Sequence, residues 1–138
     1  MTREFTLKEE ELEPLFAHLD SLFAQHCSIF LLCGNLASGK TTLVQRYIKH
    51  INPSIHATSP TFSLMQEYDN FYHYDLYHHG LAKALELGLL ENLEKEGVHF
   101  VEWGDEKLEG ILKNSGYNYC KISIEKLQDK RNYKVVYG

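Results

Sequence analysis

Apolar positions along the chain change their period several times, and each change predicts an element. Leu12, Leu15, Phe16, Leu19, Leu22 and Phe23 recur every three or four residues, which predicts an amphipathic helix through about residue 25. Thr6 and Glu9 have the spacing of a capping box, so a helix start is expected there, and Pro14 within the pattern predicts a kink or break. Ser28-Ile29-Phe30-Leu31-Leu32-Cys33 is apolar on both faces, as a buried central strand of a parallel sheet would be. Leu43, Val44, Tyr47, Ile48 and Ile51 then mark the core side of a helix from about Lys40 to His50, stopped by Asn52-Pro53.

Beyond this point the period shortens. Thr61–Tyr68 and Phe71–Leu76 are expected to be two strands of a hairpin turning at Asp69-Asn70. Residues 81–96 return to helical spacing, broken at Gly88, before a short strand Val98–Val101 that ends on Glu102-Trp103. A helix near 105–113, a turn at Asn114-Ser115-Gly116, and strands Tyr117–Glu125 and Asn132–Tyr137 around the polar turn Gln128–Arg131 complete the series. Strand, loop and helix followed by further strands and helices predict an α/β fold with a mixed, mainly parallel central sheet and helices on both faces.

Composition narrows this picture. A chain of 138 residues, 43% hydrophobic and 24% charged, is expected to be a single folded domain over residues 1–138. Its net charge of −5 argues against a stand-alone nucleic-acid binder, though not against one that reaches nucleic acid through a partner. Cys27, Cys33 and Cys120 show neither CxxC spacing nor a metal-ligand pattern. The charged opening MTREFTLKEE does not resemble an export signal, and no apolar run approaches the roughly 18 residues of a membrane span. The expectation is a cytoplasmic protein with no membrane contact.

The most specific chemical signal is Gly34-Asn35-Leu36-Ala37-Ser38-Gly39-Lys40-Thr41, which meets GxxxxGK[ST] at every fixed position. Glycines let the backbone approach phosphates, successive N–H groups form an anion nest, and the following helix adds its positive end. Lys40 supplies charge to the β- and γ-phosphates, and the Thr41 hydroxyl is a ligand for Mg²⁺. A buried-type strand before the motif and an amphipathic helix after it are its confirming context, so Gly34–Thr42 is expected to bind nucleotide with magnesium. Guanine recognition usually brings an NKxD-like segment, absent from this sequence, which makes ATP the expected nucleotide.

Such a site needs a carboxylate near the metal. Glu102 ends one expected strand and Asp75 another. Glu102 could ligate the metal directly or through water, and Asp75 could orient the attacking water or act from further out; which of them is the direct ligand is left open by the sequence. Ser59 and Thr61 lie in Thr58-Ser59-Pro60-Thr61-Phe62, which reads either as a loop crossing the γ-phosphate side or, more simply, as a strand entry. Trp103 is either a core anchor or a neighbour of the nucleotide. Adjacent His78 and His79 point apart and read as a solvated pair. Arginines number three (Arg3, Arg46 and Arg131), without the arginine-rich lid that small P-loop kinases use to stabilise phosphoryl transfer. Slow intrinsic hydrolysis, with a partner completing the charge, is the expected consequence.

Taken in order, the P-loop, Ser59-Pro60-Thr61-Phe62, Asp75-Leu76-Tyr77 and Glu102-Trp103 resemble the TsaE (YjeE) family across roughly residues 5 to 137. The resemblance implies a P-loop NTPase-like three-layer fold and a Mg²⁺-dependent ATPase of bacterial tRNA threonylcarbamoyladenosine modification. It implies TsaD and TsaB as partners, with tRNA met only through the complex. Carried over by position, Lys40 and Thr41 become phosphate and magnesium contacts, Glu102 a magnesium ligand and Asp75 an active-site acid. Trp103 falls near the nucleotide, and Ser59 and Thr61 fall in a switch-like loop. Arg131 could approach the base. The family usually has Asp at Asn35, Gly at Ala37, Arg at His78 and Pro at Gly104. Two other readings remain at this level: a small-molecule kinase, disfavoured by the absent lid, and a regulatory module that does not use hydrolysis.

Overall fold

The computed structural model describes residues 1–35, 38–55, 64–77 and 80–137. Seven strands form one sheet among these residues: β1 (Thr2–Leu7), β2 (Ile29–Cys33), β3 (Met65–Tyr68), β4 (Phe71–Asp75), β5 (Val98–Glu102), β6 (Cys120–Lys126) and β7 (Arg131–Tyr137). Their order is β1-β7-β6-β2-β5-β4-β3. β6, β2, β5 and β4 are parallel neighbours, while β7 and β3 run antiparallel to the strands beside them. Because β1 is antiparallel to β7, it points the same way as the central four.

Helices α1 (Glu13–Ala24), α2 (Lys40–Ile51), α3 (Gly80–Glu86), α4 (Leu89–Leu93) and α5 (Glu106–Asn114) cover the two faces. The apolar run of β2 explains why both are covered. Phe30 and Leu32 point to one side, where they pack with Leu15, Leu19 and Leu22 of α1 and Leu43, Val44 and Ile48 of α2. Ile29 and Leu31 point to the other, against a layer holding Ala84 of α3, Leu89 and Leu93 of α4 and Leu108 and Leu112 of α5. Each fully buried side chain of this size contributes roughly 1.5–3 kcal/mol, so two continuous apolar layers hold the sheet between its helices.

Three sequence expectations are corrected at the amino end. Thr6 does not cap a helix. It lies in β1, paired with Asn132 of β7, and its hydroxyl donates to Asn132 Oδ1 at 3.0 Å. The Arg3-Glu4-Phe5-Thr6-Leu7 alternation directs Phe5 and Leu7 to the core, and pairing with a distant strand prevails over the local cap. The reciprocal cap is shifted along the chain: the Lys8 amide donates to the Glu11 carboxylate across a short 3-10 turn, Glu9–Glu11. Pro14 produces no break, because α1 begins at Glu13 and proline in a first turn forfeits no helical hydrogen bond. Phe23, assigned to the apolar stripe, is 42% exposed.

Elsewhere the elements fall close to expectation, including the β3–β4 hairpin with Asp69 in a left-handed turn at φ 51°. The expected strand residues 61–63 lie outside the described residues. The arrangement matters for function because β2 leads into α2 on one face and β5 into α5 on the other. A crevice between the carboxyl ends of two such strands is where open α/β sheets hold their ligands.

Candidate functional site

The segment leaving β2 is shaped by two glycines. Gly34 has φ 152°, and a Cβ there would lie 2.6 Å from both Ile124 O and Ser38 Oγ. Gly39, at φ 107°, is the residue before α2, and a Cβ on it would stand 2.8 Å from Arg131 Nε. Neither position accepts a side chain without displacing something, so the backbone turns closely against β6 and β7. Between them Ser38 N donates to Asn35 O at 3.0 Å.

Lys40, the first residue of α2, folds back over this turn. Its Nζ donates to Gly34 O and Asn35 O, each at 2.9 Å, and lies 3.4 Å from Ser38 Oγ. The same ammonium sits 4.1 Å from the centre of the Trp103 ring. Burial lowers its pKa below the ordinary lysine value, an effect opposed by the carboxylates of Glu102 and Asp75.

Glu102 and Asp75 are the last residues of β5 and β4, and they are register partners across that parallel pair. Glu102 is 2% exposed. Both its oxygens accept from the Thr41 hydroxyl, at 2.9 and 2.8 Å, and Oε2 also meets Nε2 of the buried His73. Asp75 is more open, and its Oδ1 accepts from Tyr77 N at 3.0 Å.

Trp103 stands at φ 66°, which turns its indole back towards the cleft, where it packs on Tyr77 with ring centres 4.9 Å apart. It rests against the α3–α5 apolar layer and also faces the cleft.

Of the residues singled out from sequence, Ser38, Gly39, Lys40, Thr41 and Thr42 line one cleft of about 550 Å³ together with Asp75, Glu102, Trp103 and Arg131. Gly34 and Asn35 are not on its wall, and their carbonyls hold Lys40. Leu36, Ala37, Ser59, Thr61, His78 and His79 lie outside the described residues. Arg131, brought in by β7, is the arginine on the cleft; Arg46 lies 3.7 Å from Glu9, and Arg3 sits over Phe5. Arg131 Nε is buried without a hydrogen-bond partner among the described residues.

Two residues escaped the sequence reading. His73 touches Glu102; strand alternation puts residue 73 on the same face as Asp75, two positions later, but its partner lies on another strand. Tyr77 adds its ring to the cleft wall.

Chemically, the cleft combines an ammonium, a guanidinium and the amino end of α2 with two strand-end carboxylates and a hydroxyl. Such a wall suits an anion accompanied by a hard cation. Among the described residues no three His, Cys, Asp or Glu side chains converge as a metal centre of their own, and no helix is long and apolar enough to cross a membrane.

Residues 6–133 match the family model described as "Threonylcarbamoyl adenosine biosynthesis protein TsaE". The chain belongs to the TsaE family. The relative from Bacillus subtilis (strain 168), named tRNA threonylcarbamoyladenosine biosynthesis protein TsaE, is 30% identical over 86% of this chain and 82% of its own length. Proteins of the same name from Haemophilus influenzae and Rickettsia typhi are 29% and 37% identical, over 83% and 72% of this chain and 73% of their own length in both cases. A solved structure titled "Crystal structure of Bacillus subtilus YdiB" superposes over 100% of this chain and 88% of that one, with a TM-score of 0.59 and 23% identity. That likeness concerns the fold. The TsaE assignment agrees with the order of sequence blocks that suggested it.

Proposed function

We propose that this TsaE-family chain binds Mg-ATP through a P-loop and hydrolyses it as the ATPase component of tRNA threonylcarbamoyladenosine biosynthesis, working with TsaD and TsaB. The observation that carries the proposal is the meeting of Thr41 with Glu102 at the end of β5, beside Lys40 at the start of α2. The names of the relatives support the pathway.

The residues present fit magnesium and a phosphate chain. Thr41 and Glu102 bring a hydroxyl and a carboxylate together at the end of β5, oxygen donors of the kind a hard cation takes, and these are the residues that would hold Mg²⁺. Magnesium commonly takes only one or two protein ligands and leaves its other positions to phosphate and water, which is why no larger cluster is needed. Arg131 lines the cleft and brings a guanidinium charge to it, while its Nε is buried against Gly39 without a hydrogen-bond partner among the described residues.

Each side chain then has a task. Lys40 exchanges its carbonyl partners for phosphate oxygens, the two glycines bring the loop backbone close, and Thr41 and Glu102 hold the metal. Magnesium, when bound, neutralises charge developing on the transferred phosphoryl group. Asp75, in register with Glu102 but more open, orients the attacking water. Arg131 is the single arginine on this cleft, so TsaD and TsaB complete the site, and the chain alone turns over slowly.

The test is ATP hydrolysis by wild type, Lys40→Ala and Glu102→Ala, each alone and with TsaD and TsaB. Stimulation by the partners that both substitutions abolish is expected. Fast hydrolysis by the isolated chain, or phosphoryl transfer to a metabolite, would overturn the proposal.

A further inference from the structure

Glu102 is held from two sides. From α2 comes the Thr41 hydroxyl, and from β4 comes His73. The second contact is built deeply into the sheet. His73 is fully buried, Glu102 nearly so, and their strands are hydrogen-bonded neighbours with His73 opposite Phe100 and Asp75 opposite Glu102. The imidazole therefore reaches diagonally across the β4–β5 pair to the carboxylate, on the face that α2 covers. With Glu102 ionised, the contact requires the ring proton on Nε2, because a carboxylate only accepts. The other nitrogen, Nδ1, is buried without a partner among the described residues. A buried ring nitrogen left unpaired is costly, which indicates that the ring's orientation is governed by Glu102 rather than by a network of its own.

We infer that His73 is the positioning residue that fixes the rotamer of Glu102, so that one carboxylate oxygen remains directed at the Thr41 hydroxyl and the cleft. The inference rests on the Mg-ATP reading above. Thr41 is the mobile side of the arrangement, since its hydroxyl is the group a metal would engage. His73 is the fixed side, because nothing in the cleft competes for it. A partner behind a metal-binding carboxylate typically changes metal affinity about 10–100-fold when it is removed. The role is separable from ATP binding itself, which depends on Lys40 and the loop.

Two substitutions distinguish a positioning role from simple packing. His73→Gln carries an amide nitrogen close to the place of Nε2 and keeps the donor; His73→Asn carries one close to the place of Nδ1 and loses it. ATP affinity of the full chain is measured by calorimetry across a Mg²⁺ series, with EDTA as the zero point, after thermal melting confirms folding. The expected result is a half-saturating Mg²⁺ concentration raised about tenfold in His73→Asn, near wild type in His73→Gln, and unchanged ATP affinity in EDTA for both. Identical Mg²⁺ dependence in the folded Asn variant and wild type would overturn the inference, as would an equal loss of affinity in EDTA. Should His73→Asn not fold, long-range ¹H–¹⁵N spectra of the wild type decide: the Nε2–H tautomer is expected, and the Nδ1–H tautomer would overturn it. A wild-type chain that binds no ATP, or binds it without regard to Mg²⁺, removes the Mg-ATP reading itself, an outcome distinct from wild-type Mg²⁺ dependence that the variants leave untouched.

Discussion

Thr41 and Glu102 are 61 residues apart in sequence, yet one hydroxyl lies within 2.9 Å of both carboxylate oxygens. Two independent features bring them together. Gly39, in its left-handed conformation, starts α2 so that Thr41 falls in its first turn. The parallel register of β2 with β5, in which Leu32 is opposite Glu102, ends β5 beside that turn. A helix start and a strand end thus converge, and the rest of the cleft is arranged around the pair.

Replacing Thr41 by valine keeps the shape and removes the hydroxyl. Glu102 Oε1 then loses its partner among the described residues, while Oε2 keeps His73. Leaving a buried acceptor unpaired costs about 1–3 kcal/mol, so Thr41→Val is expected to lower the urea midpoint correspondingly. Thr41→Ser, which retains the hydroxyl, is expected to stay near wild type. Mg²⁺-dependent ATP binding is expected to fall in the valine variant and not in the serine variant, as read by calorimetry.

Lys40 titrates below the ordinary lysine value of 10.5, chiefly because it is buried. The sign for stability follows directly. Below the lowered folded-state value both states carry the proton, and the folded chain bears the cost of burying it. As pH rises from there towards 10.5 the folded chain releases its proton first, and stability contributed by this group increases. ATP affinity should move the opposite way, falling over the same alkaline window as the ammonium charge is lost. Lys40→Arg keeps a permanent charge and is expected to flatten the affinity profile. An affinity profile that is equally steep in both proteins would remove Lys40 titration as its cause.

From α1 onward the order of elements was legible, because periodicity is a local property, whereas β1 was read as a helix start. β2, α2 and β5 are each marked by their own apolar spacing, and the glycine-lysine loop by its own residues. What sequence could not supply was pairing between distant segments. Thr6 has a local reading as a cap and a distant one as a strand residue opposite Asn132, and only the second buries Phe5 and Leu7. His73 was overlooked for a related reason. Its alternation with Asp75 was visible, but its partner is on another strand, and a histidine without a spaced ligand pattern gives no signal alone. Asp75 and Glu102 were found because ends of strands are where such acids are sought, although only the structure distinguishes the buried one from the open one.

Two glycine-to-alanine changes are expected to have opposite signs. At Gly34 a Cβ would meet the Ile124 carbonyl and Ser38 Oγ at 2.6 Å, with φ at 152°, so the loop must distort. A strained backbone position of this kind costs about 1–3 kcal/mol. Gly110 lies inside α5, and nothing stands within 4 Å of a Cβ added there. Alanine in place of an interior helical glycine stabilises by about 0.5–1 kcal/mol. Chemical denaturation of Gly34→Ala and Gly110→Ala should therefore shift the midpoint down and up respectively, and ATP binding should suffer only in the first.

Arg131 is the residue whose role the cleft leaves most open to measurement. It starts β7, opposite Leu7 on one side and Lys126 on the other, and its side chain passes Gly39 to reach the cleft. Sequence suggested an approach to the base. Its closeness to Gly39, the last loop residue before α2, suggests service to the phosphates as well. A hydrogen bond to a charged group contributes about 1.5–3 kcal/mol, so Arg131→Ala is expected to weaken ATP binding by roughly tenfold or more. Comparing ATP, ADP and AMP locates the contact. A loss equal for all three nucleotides places the guanidinium at the base or sugar, whereas a loss that grows with the number of phosphates places it along the phosphate chain. Arg131→Lys retains charge without the planar fork, so recovery by lysine identifies a point-charge contact, and failure to recover identifies a bidentate or stacked one. Unchanged affinity for every nucleotide in Arg131→Ala would exclude Arg131 from the binding site.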